Sequence, residues 1–276
     1  MTTMVEPKKM ELNLRDIGLT FDAKKHIHYI KGVPVPGATA VTGMWPKDQL
    51  VPWAAKEAVK DLGYYDREKW TPSGPIPIPE AEKTIGFERM AGILNLIKGL
   101  SPDEYWALLK QAKGAHARSK KKAADRGTLA HAWIEDYIKG KSTTIPSDKM
   151  VANSVLKFIA WVEANSVTWV ASELQCGSEK HMFACIIDVL AVVNDKLTLV
   201  EVKTSAGIYD SFYVQTAGQK ICLDEMGCPP FEDRIILWIP KEGDAFEAHP
   251  VPTPFAQDKQ AFLAALEFLR CLRGYK

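Results

Sequence analysis

ACIIDVLAVVNDKLTLVEVKT, residues 184–204, decides how this chain reads. From Ala184 to Val193 every residue except Asp188 is apolar and the run is rich in Ile and Val, the pattern of a strand buried on both faces. From Leu197 to Lys203 the apolar pattern resumes, with Glu201 and Lys203 two apart and so on one face of a second strand. Asn194-Asp195 tolerates positive φ and predicts a two-residue hairpin turn. Val193 then pairs with Lys196, and counting back sets Asp188 opposite Glu201; a three-residue loop would send the two carboxylates to opposite faces.

Opposed like charges on a sheet repel, and burying ionised carboxylates without partners costs several kcal/mol or more. A hard cation removes both penalties, and Mg²⁺ or Mn²⁺ takes oxygen ligands while keeping waters for chemistry. Lys203 would stand beside it, placed to stabilise developing negative charge or to orient and help deprotonate an attacking water. A strand-end Glu201–Lys203 ion pair beside a half-exposed Asp188 also fits each residue singly. All three at hairpin spacing favour the metal site.

The arrangement, IIDVL followed by VEVKTS, resembles the core of the PD-(D/E)XK nuclease superfamily, in which an Asp on one strand and E-x-K on the next hold the catalytic metal. Further features are similar to its RecB-like exonuclease branch, over Arg126 to roughly Pro240. RGTLAHAWIEDYIKG reads as a helix with Leu129, Trp133, Ile134 and Tyr137 as its apolar stripe, and Gly127, His131 and Glu135 recur along the adjoining face. The resemblance makes His131 a further metal ligand and has Gly127 admit the helix close to the sheet. TWVASELQC reads as a strand. Its Glu173 matches the branch's extra acidic residue, which helps to hold metal or position water. SFYVQTAGQKICLDEMG has helical spacing, and the resemblance makes Gln215 a contact to the scissile strand or the metal-bound water. The aromatic usual four residues after that Gln is replaced by Gln219.

The resemblance implies an α/β fold with a mixed central sheet flanked by helices, a restriction-endonuclease-like core. We expect that core over 126–276, and over 1–125 an N-terminal mixed strand and helical extension roofing the cleft. It also implies a Mg²⁺- or Mn²⁺-dependent deoxyribonuclease, foremost an exonuclease on DNA ends or single strands in recombination, repair or replication. Alternatives are a structure-selective or restriction-like endonuclease and a non-catalytic DNA-binding or complex-forming protein on the same fold. A helicase or recombination partner would be a separate chain, since G-x-x-x-x-G-K-[ST] is absent. Some RecB-like nucleases hold an iron-sulfur cluster with one cysteine before the core and three after it. Here no cysteine precedes the core helix, so no such cluster is expected.

A chain of 276 residues, 46% hydrophobic and 25% charged, suits one sizeable globular domain or a domain with an extension. No apolar run reaches membrane-spanning length and the first residues lack a secretory or transit pattern, which predicts a soluble cytoplasmic protein. Cys176, Cys185, Cys222, Cys228 and Cys271 form no C-x-x-C pair and read as reduced and mostly buried.

A net charge of +1 argues against coating nucleic acid by bulk attraction, but KQAKGAHARSKKKAADR, 110–126, carries seven Lys or Arg against one Asp. We expect Arg118, Lys120, Lys121, Lys122 and Arg126 to bind phosphates, against the alternative of a solvated helix face. Upstream, LTFDAKKHIHYIKGVPVPGATAVTGM reads as a β-hairpin or paired strands with a Gly and Pro turn, PKDQLVPWAAKEAVKDLG as a helix, YYDREKWTPSGPIPIPEAEK as a Pro-rich loop, and 84–99 and 102–122 as two helices. ATAVTGMWPKDQLVPWAA is similar to the region preceding the core in phage and mobile-element members of the branch. Trp45, Trp53, Trp70 and Trp106 could stack on unpaired bases, though core or loop packing accounts for most such residues. RIILWIP reads as a strand, and the last 21 residues before Lys276 as a helix burying Phe262, Leu263, Leu266, Phe268 and Leu269.

Overall fold

The computed structural model describes residues 12–45, 50–65, 68–71, 74–141, 144–205, 207–231, 233–239 and 246–275. In chain order the elements are β1 (Leu19–Asp22), β2 (Ile27–Ile30), β3 (Val33–Val35), α1 (Ala38–Thr42), α2 (Leu50–Asp61), β4 (Glu68–Thr71), β5 (Gly74–Pro77), α3 (Glu80–Lys98), α4 (Pro102–Lys113), α5 (Ala115–Ile138), α6 (Lys149–Ala164), β6 (Val167–Ser178), β7 (Phe183–Val193), β8 (Lys196–Lys203), α7 (Asp210–Glu225), β9 (Asp233–Trp238), β10 (Glu247–Pro250) and α8 (Phe255–Arg273). The fold is mixed α/β, with a five-stranded sheet ordered β10-β9-β8-β7-β6.

The hairpin forms in the expected register. Asn194 and Asp195 both take positive φ, 49° and 67°, and Val193 pairs with Lys196. The ladder runs back to Val189↔Val200, so residues 188 and 201 come next in register. β9 then lies parallel to β8, with Lys203 opposite Trp238, and β10 closes the edge antiparallel to β9. A parallel neighbour requires a crossover, and α7 supplies it.

Helices cover both faces of this sheet. On one, Trp133, Ile134 and Ile138 of α5 and Val155, Phe158 and Trp161 of α6 pack with Val189, Ala191, Val200 and Val202. On the other, Val214, Ile221 and Leu223 of α7 and Phe262, Leu266 and Leu269 of α8 pack with Phe183, Leu190 and Leu199. α7 is buried without interruption from Val214 to Leu223, whereas an ordinary surface helix buries one stripe. At Gly218 a Cβ would stand 2.4 Å from the Phe262 ring, so glycine sets how closely α8 approaches α7. Arg234 of β9 and Asp258 of α8 form a buried ion pair, Nη1···Oδ2 2.9 Å. Asp258 also accepts from Thr253 Oγ1 at 2.7 Å, and Arg234 donates to the Thr253 and Tyr213 carbonyls.

The structure corrects the expected division at residue 125. One compact unit comprises Met1–Trp45 with Arg126–Lys276, and the second is Pro46–Asp125. Ile17, Ile30, Val35, Ala38 and Val41 explain this, since they share a core with Phe183 and Phe262. The second unit holds α2, β4, β5, α3 and α4. The stretch expected as a Pro-rich loop contains the antiparallel pair β4 and β5. The helix expected over 102–122 ends at Lys113, where Gly114 is the C-cap, and the next one, α5, runs on through His131. Leu129 and Phe268, both expected in apolar stripes, are exposed; Ala130 is buried beside Trp133 instead. The expected start of the second-unit helix at Pro46 lies outside the described residues. No helix among the described residues is long and apolar enough to cross a membrane.

The Arg234–Asp258 pair yields a stability prediction. Asp258→Ala leaves a guanidinium buried without its counter-charge and should cost about 3–5 kcal/mol of unfolding free energy. Urea denaturation followed by circular dichroism measures this; a loss under about 1 kcal/mol would mean that water reaches Arg234.

Candidate functional site

Glu173, His131 and Asp188 bring ligand atoms within 4.8 Å of one another. They come from three elements. β7 delivers Asp188, whose Oδ2 accepts from the Val202 amide at 2.9 Å, a bond that fixes the carboxylate across the hairpin. α5 delivers His131, with Nδ1 3.7 Å from Asp188 Oδ1. β6 delivers Glu173, lying between the laddered pairs Ser172↔Val189 and Leu174↔Ile187 and so beside Asp188. Glu173 takes φ 48°, the left-handed region that a glutamate in a strand rarely adopts, and the strand is bulged shortly before it, between Trp169 and Ala171. Such conformations cost on the order of 1–3 kcal/mol and persist where surrounding structure imposes them.

Glu201 belongs to the same site but is differently engaged. Its side chain is 2% exposed. Oε1 accepts from Lys203 Nζ at 2.5 Å and from Gln215 Nε2 at 2.6 Å, and Oε2 accepts from Gln219 Nε2 at 2.7 Å. Lys203 also donates to Gln215 Oε1 at 3.2 Å, closing a three-residue ring of hydrogen bonds. The strand-end ion pair and the carboxylate cluster therefore coexist.

Electrostatics separate the two halves. Burial, reinforced by the Glu201 charge, pushes the Asp188 carboxyl up to about 7, despite the opposing effects of His131 and Lys203. Burial also raises Glu173; His131 and Lys139 counter it, while Glu135 and Glu201 add to it. Burial pulls the Lys203 ammonium down, but Glu201 and Asp188 outweigh it and hold the group above its ordinary range. Lys203 is thus a cation at neutral pH. His131, Glu173 and Asp188 are where a divalent cation would relieve the accumulated negative charge, and imidazole with two carboxylates is a donor set such an ion accepts.

The expected site residues separate into two groups. Asp188, Glu201, Lys203, Glu173, Gln215 and His131 come together, from strands β6, β7 and β8 and helices α5 and α7. The expected phosphate-binding residues are differently engaged. Arg118 pairs with Asp61 at 2.5 Å and Lys121 with Asp125 at 3.0 Å. Arg126 pairs with Asp148 at 2.9 Å, and Asp148 caps α6 through the Met150 and Val151 amides. Lys120 and Lys122 are exposed and have no ion pair among the described residues. Four cysteines are buried and free, and Cys271 is exposed.

Sequence reasoning gave no role to Glu135 or Gln219. Glu135 follows His131 by one turn and acts on Glu173, which the four-residue recurrence in GTLAHAWIE could have signalled. Gln219 is fully buried, and its Oε1 lacks a partner among the described residues while both donors on Nε2 are used, by Glu201 and the Ile186 carbonyl. A polar residue in a helix otherwise destined for burial was the available signal.

The raised Asp188 carboxyl gives a signed pH prediction. A carboxyl that holds its proton more tightly in the folded state stabilises the fold below the unfolded value near 4, and that contribution is lost as pH rises through about 7. Without divalent ions, the melting temperature should fall between pH 4 and pH 7 from this group. In Asp188→Asn, which retains an acceptor for the Val202 amide, the fall should be smaller. Equal pH profiles for the two proteins would show that Asp188 titrates normally.

No family model matches the chain, and no curated protein matches it significantly.

Proposed function

We propose that the protein is a Mg²⁺- or Mn²⁺-dependent deoxyribonuclease, similar in its core to the RecB-like exonucleases of the PD-(D/E)XK superfamily. The observation that carries the reading is the convergence of His131, Glu173 and Asp188 beside a Glu201–Lys203–Gln215 ring. An ion-pair network that served the fold alone has no physical need to keep carboxylates on adjacent strands unneutralised. A sheet in which the Asp strand and the E-x-K strand are antiparallel neighbours, with a crossover helix returning to a parallel strand, supports the restriction-endonuclease-like core.

When bound, the metal would lower the pKa of a coordinated water and neutralise charge at phosphorus. His131, Glu173 and Asp188 would hold it, with Glu201 able to join by exchanging a hydrogen bond. Lys203, kept protonated by its two carboxylate neighbours, serves as the fixed cation facing the developing negative charge. Gln215 orients both Lys203 and Glu201 and has no further acidic or basic duty.

Purified protein should degrade end-labelled linear DNA with Mg²⁺ or Mn²⁺ and not in EDTA, and should spare closed circular single strands if an end is required. Lys203→Ala should lower kcat by about 10²-fold or more, the scale of removing one oxyanion-hole donor, while calorimetric Mn²⁺ binding persists. Asp188→Asn should lose both cleavage and Mn²⁺ binding. Wild-type cleavage by Asp188→Asn would overturn the reading.

Of the five expected phosphate contacts, Lys120 and Lys122 of α5 have no ion pair among the described residues and are left to meet DNA. Replacing Lys120 and Lys122 by Ala should weaken binding and reduce the log-log salt slope by about 0.7–0.9 for each phosphate no longer neutralised. Replacing Arg126 should instead lower the melting temperature, through Asp148. An unchanged slope in the double variant would leave the run as a solvated helix face.

A further inference from the structure

Tyr209 stands where helix physics favours a different residue. It is the N-cap of α7, with extended backbone (φ −130°, ψ 145°) and no side-chain hydrogen bond closing the first turn. Ser, Thr, Asp or Asn would supply that bond. Burial does not explain the tyrosine either, since it is 43% exposed and lies in neither core of the described residues.

Its neighbours do suggest a role. The Tyr209 ring meets Phe212 edge to face, with centroids 5.3 Å apart and planes at 82°. The Phe212 ring in turn carries Lys203 Nζ 4.9 Å from its centroid. The connection leading to Tyr209 is held by Trp238, whose Nε1 donates to the Ser205 carbonyl at 2.9 Å, and Trp238 is the strand partner of Lys203. An exposed aromatic thereby stands two ring contacts away from the ammonium of the site.

We propose that Tyr209, backed by Phe212, is a stacking platform for an unpaired base next to the scissile phosphate, so that the substrate is single-stranded DNA. The inference rests on the nuclease reading of the site. A base stacks on an aromatic ring through a π-face that every base has, which gives affinity without sequence preference. In a duplex both faces are covered by neighbouring bases, and exposing one costs a few kcal/mol. The Lys203 ammonium lies over one face of Phe212, which couples the platform to the cation, and the more exposed Tyr209 is the ring offered to a base.

The test is titration, in EDTA, of a single-stranded oligonucleotide carrying the fluorescent adenine analogue 2-aminopurine at successive positions. One position should be quenched by the wild-type protein. Tyr209→Ala and Tyr209→Leu should lose that quench and raise Kd about 5- to 100-fold, while Tyr209→Trp restores both. An abasic residue at the same position should weaken wild-type binding comparably and leave Tyr209→Ala unaffected. With Mg²⁺ the loss should fall on KM more than on kcat. Equal quenching by wild type and Tyr209→Ala, or an equal loss on abasic and intact strands, would overturn the platform. Cleavage that proceeds normally beside either result leaves the nuclease reading standing; absence of all metal-dependent cleavage removes that reading and the platform with it.

Discussion

The carboxylate of Glu201 sits almost wholly out of water, level with Asp188 in the β7–β8 register, and much of the larger unit is arranged around that fact. A buried carboxylate needs donors, and the three it has are Lys203, Gln215 and Gln219. Two of these ride on α7, so the helix must lie close against β8. That explains why α7 buries ten consecutive residues from Val214 to Leu223, and why it carries polar side chains there. Gly218 then permits Phe262 and α8 to seat on α7, and the Arg234–Asp258 pair fixes the start of α8 to β9. Removing the donors from α7 would leave a charge in the core that no rearrangement of apolar packing can satisfy.

The site divides its labour by charge. Glu201 is already answered by a cation and two amides, whereas Asp188 and Glu173 share a histidine and resist ionisation. The first half of the site has its charge answered within the protein, whereas the second holds its carboxyls above their ordinary range. Lys203 belongs to both, paired with Glu201 and feeling Asp188, which is why its proton is held tightly.

The features that follow from short-range rules were legible in the sequence. Apolar runs broken by single charges and a turn dipeptide with positive φ at both positions fixed a register from which Glu201, Lys203 and Asp188 could be placed. Spacing on α5 placed His131. What depends on partners far along the chain was not legible. Arg126 looked like a phosphate contact because nothing nearby reveals Asp148, 22 residues on. Leu129 and Phe268 looked buried because periodicity marks a face without saying how much of it a neighbour covers. The first 45 residues looked detached because only the folded sheet brings Ile30 and Val35 onto Phe183. Glu173 was legible as a charge but not as a left-handed residue, since no pattern encodes a strained φ.

Glu173 also bears on how the fold would respond to substitutions at its site. Its backbone favours Gly or Asn, and its charge opposes that of Asp188. Glycine in place of Glu173 would relieve the backbone strain there, whereas loss of the Asp188 carboxylate would leave the Val202 amide without its acceptor. A glutamate in a conformation that disfavours it is therefore a local conflict, one that the fold displays and the sequence does not.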